Sequence, residues 1–108
     1  MVVFCPIIGT GKKIAVTTAN VDTALDTTGN PNCIKVETYT DYNGGTNLPA
    51  FIRLGAAGGT AVVSTDMAIL AGHPYYIAYS PSSMPNLQAI STSSGASIYV
   101  TMGHVANA

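Results

Sequence analysis

The 108-residue chain carries little charge: Asp, Glu, Lys and Arg make up 8% of it, and its four basic and five acidic residues give a net charge of −1. This length fits one domain that folds without a metal or a disulfide. The near-neutral balance provides no long-range attraction for nucleic-acid phosphates or an acidic membrane, so we expect neither as a partner. A surface this poor in charge relies on Thr, Ser, Asn and Gly for solubility, or is covered by other subunits.

The N-terminal residues 2–8 form a short apolar run that contains Pro6 and ends at Gly9-Thr10-Gly11. Proline favours a sheet edge, so residues 1–11 are predicted to be an arm or edge strand. The run lacks a preceding basic residue and a cleavage site, and no stretch approaches the ~20 apolar residues of a membrane helix. We expect a soluble product of the cytoplasm, in which Cys5 and Cys33 stay unpaired, buried thiols.

Alternating apolar and polar residues predict strands at residues 13–18 and 33–39. Their predicted core residues are Ile14, Val16, Ile34, Val36 and Thr38, while Lys35 and Glu37 share the wetter face of the second strand. Residues 21–25 fit a short strand or an irregular crossing. The next loop, 41–47, contains Asn43-Gly44, which is a strong hairpin signal. Further short extended pieces are predicted at residues 49–54, 60–63, 67–71 and 75–79.

Residues 87–102 are predicted to form a β-hairpin that turns at Ser93-Ser94-Gly95. Its apolar face carries Leu87, Ala89, Ala96, Ile98, Val100 and Met102, and its polar face carries Gln88, Ser97, Tyr99 and Thr101. An isolated hairpin is barely stable in water, so the apolar face requires a second sheet. The polar face has no charge, and an exposed strand of this kind pairs readily with others, so we expect a neighbouring subunit to cover it.

Short strands at intervals of roughly 8 to 12 residues, separated by Gly, Pro and Asn, indicate an all-β fold, either a β-sandwich or a barrel. We predict a single compact, jelly-roll-like β-sandwich of about eight short antiparallel strands. It spans residues 1–108, with the arm at 1–11 and a C-terminal tail at 103–108.

The sequence contains no convincing catalytic or cofactor motif. The segment Gly9-Thr10-Gly11-Lys12-Lys13 fails as a phosphate-binding loop, because Pro6 stands where the first glycine belongs and no hydroxyl residue follows the lysine. His73 lies in a Gly-His-Pro turn, and His104 lies in the predicted tail, where we expect it to contact a neighbour. We therefore predict no enzyme activity and no cofactor.

Metal binding is also unexpected. Asp22 and Asp26 flank a Thr-rich segment, but their spacing does not match a calcium loop, so a solvated loop face is the better interpretation. The six tyrosines and two phenylalanines favour core or subunit contacts, because tyrosine suits positions with one wet end. A platform that stacks sugars is the alternative.

Ten short pieces follow one another along the chain: Val16-Thr17-Thr18, Ala24-Leu25, residues 33–39, Phe51-Ile52-Arg53-Leu54-Gly55, Thr60-Ala61-Val62-Val63, Leu70-Ala71-Gly72, residues 75–79, Ala89-Ile90, Ser94-Gly95 and Tyr99-Val100-Thr101-Met102-Gly103. Their order is similar to that in small structural proteins encoded near the capsid genes of tailed bacteriophages, a family that the chain resembles. The resemblance implies a virion structural protein, often a head decoration or cement protein, and it brings no catalytic residues with it.

From this resemblance we expect the protein on the capsid surface of the virion, bound to the major capsid protein and to itself, as a homotrimer. The alternatives are a neck, tail or head-fibre subunit, and a carbohydrate-binding β-sandwich. The residues predicted to form interfaces are Val2, Val3, Phe4, Ile7, Tyr76, Ser97, Tyr99, Thr101 and His104.

Overall fold

The computed structural model describes residues 2–38, 49–63, 66–70, 74–92 and 95–107, in which nine strands and no helix are found. The strands are β1 (Val2–Pro6), β2 (Lys12–Val16), β3 (Val21–Ala24), β4 (Cys33–Thr38), β5 (Ala50–Gly55), β6 (Met67–Ile69), β7 (Tyr75–Ala78), β8 (Asn86–Ile90) and β9 (Ala96–Asn107). The segment 21–25 is therefore a strand, whereas residues 60–63, predicted to be extended, belong to a loop.

The strands form two antiparallel sheets that pack face to face. The five-stranded sheet has the order β1-β9-β4-β7, with β2 also paired to β9, and the four-stranded sheet has the order β3-β8-β5-β6. The pairs β2–β9, β3–β8, β4–β7 and β5–β6 are nested one inside the next along the chain. Nested antiparallel pairs divided between two sheets make a jelly roll, so the predicted β-sandwich is confirmed.

The core lies between the sheets and follows the alternation read from the sequence. Its fully buried side chains include Val16, Ile34, Val36, Ile52, Ile69, Leu87, Ile98, Val100 and Met102. The predicted inward faces of β2, β4 and β9 are therefore confirmed. Among the described residues, none of the core cluster comes from β1, so this strand is an addition to a sandwich that closes without it.

The predicted hairpin over residues 87–102 is wrong, although its apolar face is right. Strand β8 pairs with β3 and β5, and β9 pairs with β1, β2 and β4, so the two strands lie in different sheets. Both are flanked by partners on each edge. The same correction applies to the Asn43-Gly44 loop: it lies outside the described residues, but β4 and β5 on either side of it belong to different sheets.

Strand β9 is long enough to pair with both β1 and β2 along one edge. Residues 103–107, predicted to be a tail, continue this strand and pair with β1, while residues 96–100 pair with β2. The hydroxyl of Thr10 fills the interruption between them, accepting a 3.2 Å hydrogen bond from Met102 N–H and donating at 2.7 Å to the Ile7 carbonyl. Thr10 is only 5% exposed, so it anchors the chain where β2 begins.

Both cysteines are free, but the prediction that both are buried is wrong for Cys5. Cys33 is 4% exposed, whereas Cys5 is exposed on β1. The difference arises because β1 lies at the sheet edge, outside the core. Burial raises the pKa of the Cys33 thiol, an effect that a backbone hydrogen bond at Ile77 partly offsets.

Candidate interaction surface

The outer face of the five-stranded sheet, which points away from the core, gathers the largest group of predicted interface residues. Strand register aligns Thr101 of β9 with Lys35 of β4, and Lys35 with Tyr76 of β7, so these side chains form a row across three strands. In the neighbouring part of the sheet, Phe4 of β1 lies opposite Val105 of β9. The face therefore combines aromatic, apolar and hydroxyl groups.

Phe4 and Tyr76 come from strands at opposite sides of the sheet, yet their ring centroids are 5.3 Å apart with an interplanar angle of 55°. This tilted arrangement and spacing are typical of a favourable aromatic pair. The rings meet because Gly103 lacks a side chain: a Cβ there would lie 2.6 Å from Cζ of Phe4 and 2.5 Å from the Cys5 carbonyl oxygen. The Phe4 ring therefore packs directly on the backbone of Gly103.

An open cleft of about 790 Å³ borders the aromatic pair. Its lining residues are Val3, Phe4, Pro6, Lys35, Tyr76, Thr101 and Val105. Of the nine predicted interface residues, four (Val3, Phe4, Tyr76 and Thr101) are thus brought together. Pro6, Lys35 and Val105 were missed; the alternation of Thr101, Gly103 and Val105 would have revealed Val105 had the strand been extended past Met102.

Ser97 and Tyr99 lie on the same face but farther along β9, beside β2. The Tyr99 ring covers Gly11, since a Cβ at position 11 would lie 2.5 Å from the tyrosine oxygen. Both residues are half-buried. Because β9 has partners on both edges, its backbone is not open to strand pairing, and the pairing hazard predicted from its uncharged face does not arise; a covering subunit would contact side chains.

Three further predicted residues, like Ser97 and Tyr99, are not among the described residues that line the cleft. His104 points to the other side of β9, where its Nε2 lies 3.0 Å from the Asn30 carbonyl oxygen. Ile7 packs toward Gly29, 3.3 Å from where a Cβ would stand. Val2 pairs with Asn107 through the backbone, and its side chain is outside the described residues, as is the whole of His73.

Charge on this face is largely balanced within the sheet. Lys35 Nζ lies 3.5 Å from Oε1 of Glu37, and both side chains are about one-third exposed. A partly exposed pair of this kind contributes little to stability. It does remove an unbalanced charge from the rim of the cleft, so the cleft suits a partner of apolar and hydroxyl character.

A polar cluster on the outer face of the four-stranded sheet closes the loop of residues 56–61 over that sheet. The Asp22 carboxylate accepts hydrogen bonds from Gly58 N–H (2.8 Å) and from the side-chain amides of Gln88 (2.7 Å) and Asn86 (3.1 Å). The Gln88 amide also donates to the Ala56 carbonyl at 3.0 Å. Asp22 is therefore a strand residue that fastens a loop, which differs from the solvated loop position predicted.

The hydrogen bonds of the Asp22 cluster give it a structural role, because they hold the loop to the sheet. The Gly58 N–H, followed by the amides of Gln88 and Asn86, lowers the pKa of Asp22. A carboxylate held ionised by three donors is a poor general base. Gln88 is 0% exposed, and its Oε1 has no hydrogen-bond partner among the described residues. The alternation of side chains does not reveal this burial, because it places Gln88 on the polar face.

Neither a metal centre nor a membrane-spanning helix is found in the part of the chain that the structure describes. No group of three or more His, Cys, Asp or Glu residues there is placed to hold a metal ion. No helix in those ranges is long and apolar enough to cross a membrane.

Comparison with known proteins leaves the chain without an assigned family. It matches no protein-family model, and no curated protein is similar enough to count as a relative. The fold defines it as a small jelly-roll domain, and the cleft beside Phe4 and Tyr76 is its candidate interaction site.

Proposed function

We propose that the protein is a non-enzymatic structural protein of a tailed-bacteriophage virion. In this proposal it is a decoration, or cement, protein that binds the outer surface of the major capsid lattice as a homotrimer. The observation that carries the proposal is the cleft bordered by Phe4 and Tyr76 on a jelly roll with 8% charged residues. The resemblance in the order of sequence pieces supports the same role.

The physical argument concerns how a small protein strengthens a shell. A cement protein fills shallow joints between capsid subunits and resists internal pressure through many weak contacts, which requires shape complementarity rather than charge. A sandwich whose two sheets enclose one core is rigid enough to transmit that load. The balanced Lys35–Glu37 pair avoids burying a lone charge in such a joint.

The direct test is binding to capsids assembled without this chain. Purified protein should co-sediment with them and raise the temperature at which they release DNA. Tyr76→Lys should abolish co-sedimentation, because it places a charge beside Phe4, while Ala57→Lys, on the exposed loop of the other sheet, should bind as the unmodified chain does. Binding to tails but not to capsids would overturn the proposal.

Copy number separates decoration from the other virion roles. A decoration protein occupies lattice positions and should be present in hundreds of copies, whereas a neck, tail or head-fibre subunit follows a local symmetry axis and should number about six to twelve, or a few dozen. Quantitative mass spectrometry of purified particles, with the major capsid protein as the internal reference, measures this ratio.

Carbohydrate binding is a second candidate because Tyr76 is 54% exposed beside the cleft. An exposed tyrosine ring offers an apolar face for stacking on a sugar. A glycan array with a signal that Tyr76→Ala removes would support this function. An array without signal, together with capsid binding, would exclude carbohydrate binding and leave decoration as the remaining role.

A further inference from the structure

Strand β1 is attached to the molecule in a way that separates it from the rest of the fold. It pairs with β9 and, within the described ranges, with no other strand. It gives no residue to the core cluster of the described chain. It is anchored by the Phe4 ring, which packs on Gly103 and against Tyr76, and by backbone pairing from Val2↔Asn107 to Pro6↔Gly103. Releasing β1 would therefore leave the sandwich core closed.

The segment that joins β1 to the sandwich contains more residues than a straight strand needs, so it can bend. Residues 7–11 stand opposite only two residues of β9, 101 and 102, so three of the five are surplus to a straight strand. Gly9 has a φ of +81° and open space where a Cβ would be, a conformation that favours glycine. Thr10 fixes the far end of this linker to Met102. The near end is held as well, because the Ile7 carbonyl accepts a hydrogen bond from the Thr10 hydroxyl and the Ile7 N–H donates to the Met102 carbonyl at 2.9 Å. Release of β1 would therefore break these two Ile7 hydrogen bonds and bend the chain at residues 7–9.

The linker and arm also expose apolar surface. Ile8, at the linker tip, is 99% exposed, and Val3 is exposed on β1. No residue of β1 is charged, whereas edge strands of soluble proteins are usually protected by charged side chains. A lone exposed isoleucine is unremarkable, but here it lies on the segment that would cross between two copies if β1 left its own β9.

We propose that β1 is an exchangeable arm that docks on β9 of a second copy of this chain. The strand that binds this edge of β9 is known, because β1 binds it within the chain. Every copy has the same arm and the same β9 edge. Contacts in the exchanged and unexchanged forms are therefore equal, which makes exchange a low-cost route to association. The inference concerns the chain alone and stands or falls independently of the proposed virion role.

Distance and concentration set when exchange occurs. Because Thr10 stays fixed to Met102, the three residues 7–9 span about 10 Å when extended, so exchange requires a copy placed directly edge to edge. A short linker holds its own arm at an effective concentration on the order of millimolar. Dilute chains should therefore keep their arms, and exchange should appear when copies are crowded together, as they are in an assembly.

Opposed cysteines give a direct test. Cys5 lies opposite His104 in the β1–β9 register, so a cysteine at position 104 places two sulfur-bearing Cβ atoms about 5 Å apart. One variant, Cys33→Ala, keeps Cys5; the second combines Cys5→Ser, Cys33→Ala and His104→Cys, and carries a mass tag. Neither variant can form the disulfide within itself, so a mixed disulfide requires the arm of one chain on β9 of the other.

On oxidation of the mixture, the heterodimer should form about fiftyfold faster per chain at about 1 mM than at about 10 μM, because an arm held at an effective concentration of about 1 mM is exchanged in about half of the chains at the higher concentration and in about 1% at the lower. The collision control replaces His104→Cys with Ala57→Cys, an exposed loop position, and should give far less heterodimer. Heterodimer at the control level would overturn the proposal.

The register is checked in a single chain, Cys33→Ala with His104→Cys, which should close an internal disulfide when dilute. If this chain misfolds, cysteines at the exposed opposed positions Val3 and Ala106 repeat both experiments in a background without Cys5 and Cys33. If neither pair formed an internal disulfide, the β1–β9 pairing itself would be contradicted, and with it the exchange.

Discussion

The carboxylate of Asp22 accepts a 2.7 Å hydrogen bond from the side-chain amide of Gln88, which lies directly opposite it in the β3–β8 pair. This contact, with those from Gly58 and Asn86, lowers the pKa of Asp22 in the folded chain. A carboxyl whose pKa is depressed by folding stabilises the fold above its unfolded pKa, near about 4, and loses that contribution as pH falls through the folded value.

We therefore predict that stability falls in acid and that Asp22→Asn removes part of this dependence. Thermal unfolding measured from neutral pH down to about 2 should show the unmodified chain and the variant converging below about pH 4. Asp26→Asn is the control: the pKa of Asp26 is lowered by the hydroxyl and N–H of Thr28, so it should remove a separate part. A stability difference between the unmodified chain and Asp22→Asn that widens in acid would contradict the assignment of this pH dependence to Asp22.

Replacing the buried hydroxyl of Thr10 tests the junction between β1 and β2. Thr10→Val keeps the side-chain shape but removes the acceptor of Met102 N–H and the donor to the Ile7 carbonyl. Leaving buried backbone groups without partners should cost about 1–3 kcal/mol, measured by chemical denaturation. Thr18→Val, at an exposed position, should change stability by less than about 0.5 kcal/mol.

Lysine substitutions at neighbouring positions of β9 separate folding from association. Ile98 is fully buried in the core, and Ser97 is half-buried on the outer face. Ile98→Lys should prevent folding, because it buries an unpaired charge. Ser97→Lys and Thr101→Lys should fold, with circular dichroism and melting temperature near those of the unmodified chain, and should weaken association measured by light scattering. Equal loss of folding in all three would contradict the face assignment.

The two thiols should differ in reactivity. Cys5 is exposed, whereas Cys33 is buried and burial raises its pKa, which lowers the fraction of reactive thiolate. A thiol reagent such as Ellman's should therefore label one cysteine in the native protein and both in denaturant. Cys5→Ser should abolish the native signal; labelling of Cys33 at the rate of Cys5 would contradict its burial.

Alternation in the sequence predicts which way side chains point, but it does not identify strand partners. The inward residues of β9 were therefore predicted correctly while its pairing with β8 was not. The two strands are joined by a short connection that resembles a hairpin turn, yet this one passes from one sheet to the other. Side chains alternate with a period of two residues both in a hairpin and in strands of different sheets. The sequence alone therefore does not distinguish these two arrangements.

The surface residues were hardest to predict because their burial depends on distant segments. Gln88 falls on a polar face and is nevertheless fully buried, since the loop of residues 56–61 folds over it and is held by Asp22 and Asn20. The aromatic pair needs Phe4 and Tyr76 to meet across the sheet, which only the register and the bare backbone of Gly103 permit.

The nested order of the strands also determines when the fold is completed during synthesis. β8 and β9 lie inside their sheets, between strands that are synthesised before them. Until β8 and β9 emerge, the early strands β3 and β2 lack the partners that they have in the described fold, and the longest loops close after the shorter ones, a topology that folds slowly. Loss of the 12-residue β9 would remove the partner of β1, β2 and β4 together, so a nascent chain that still lacks β9 would expose its apolar faces to aggregation.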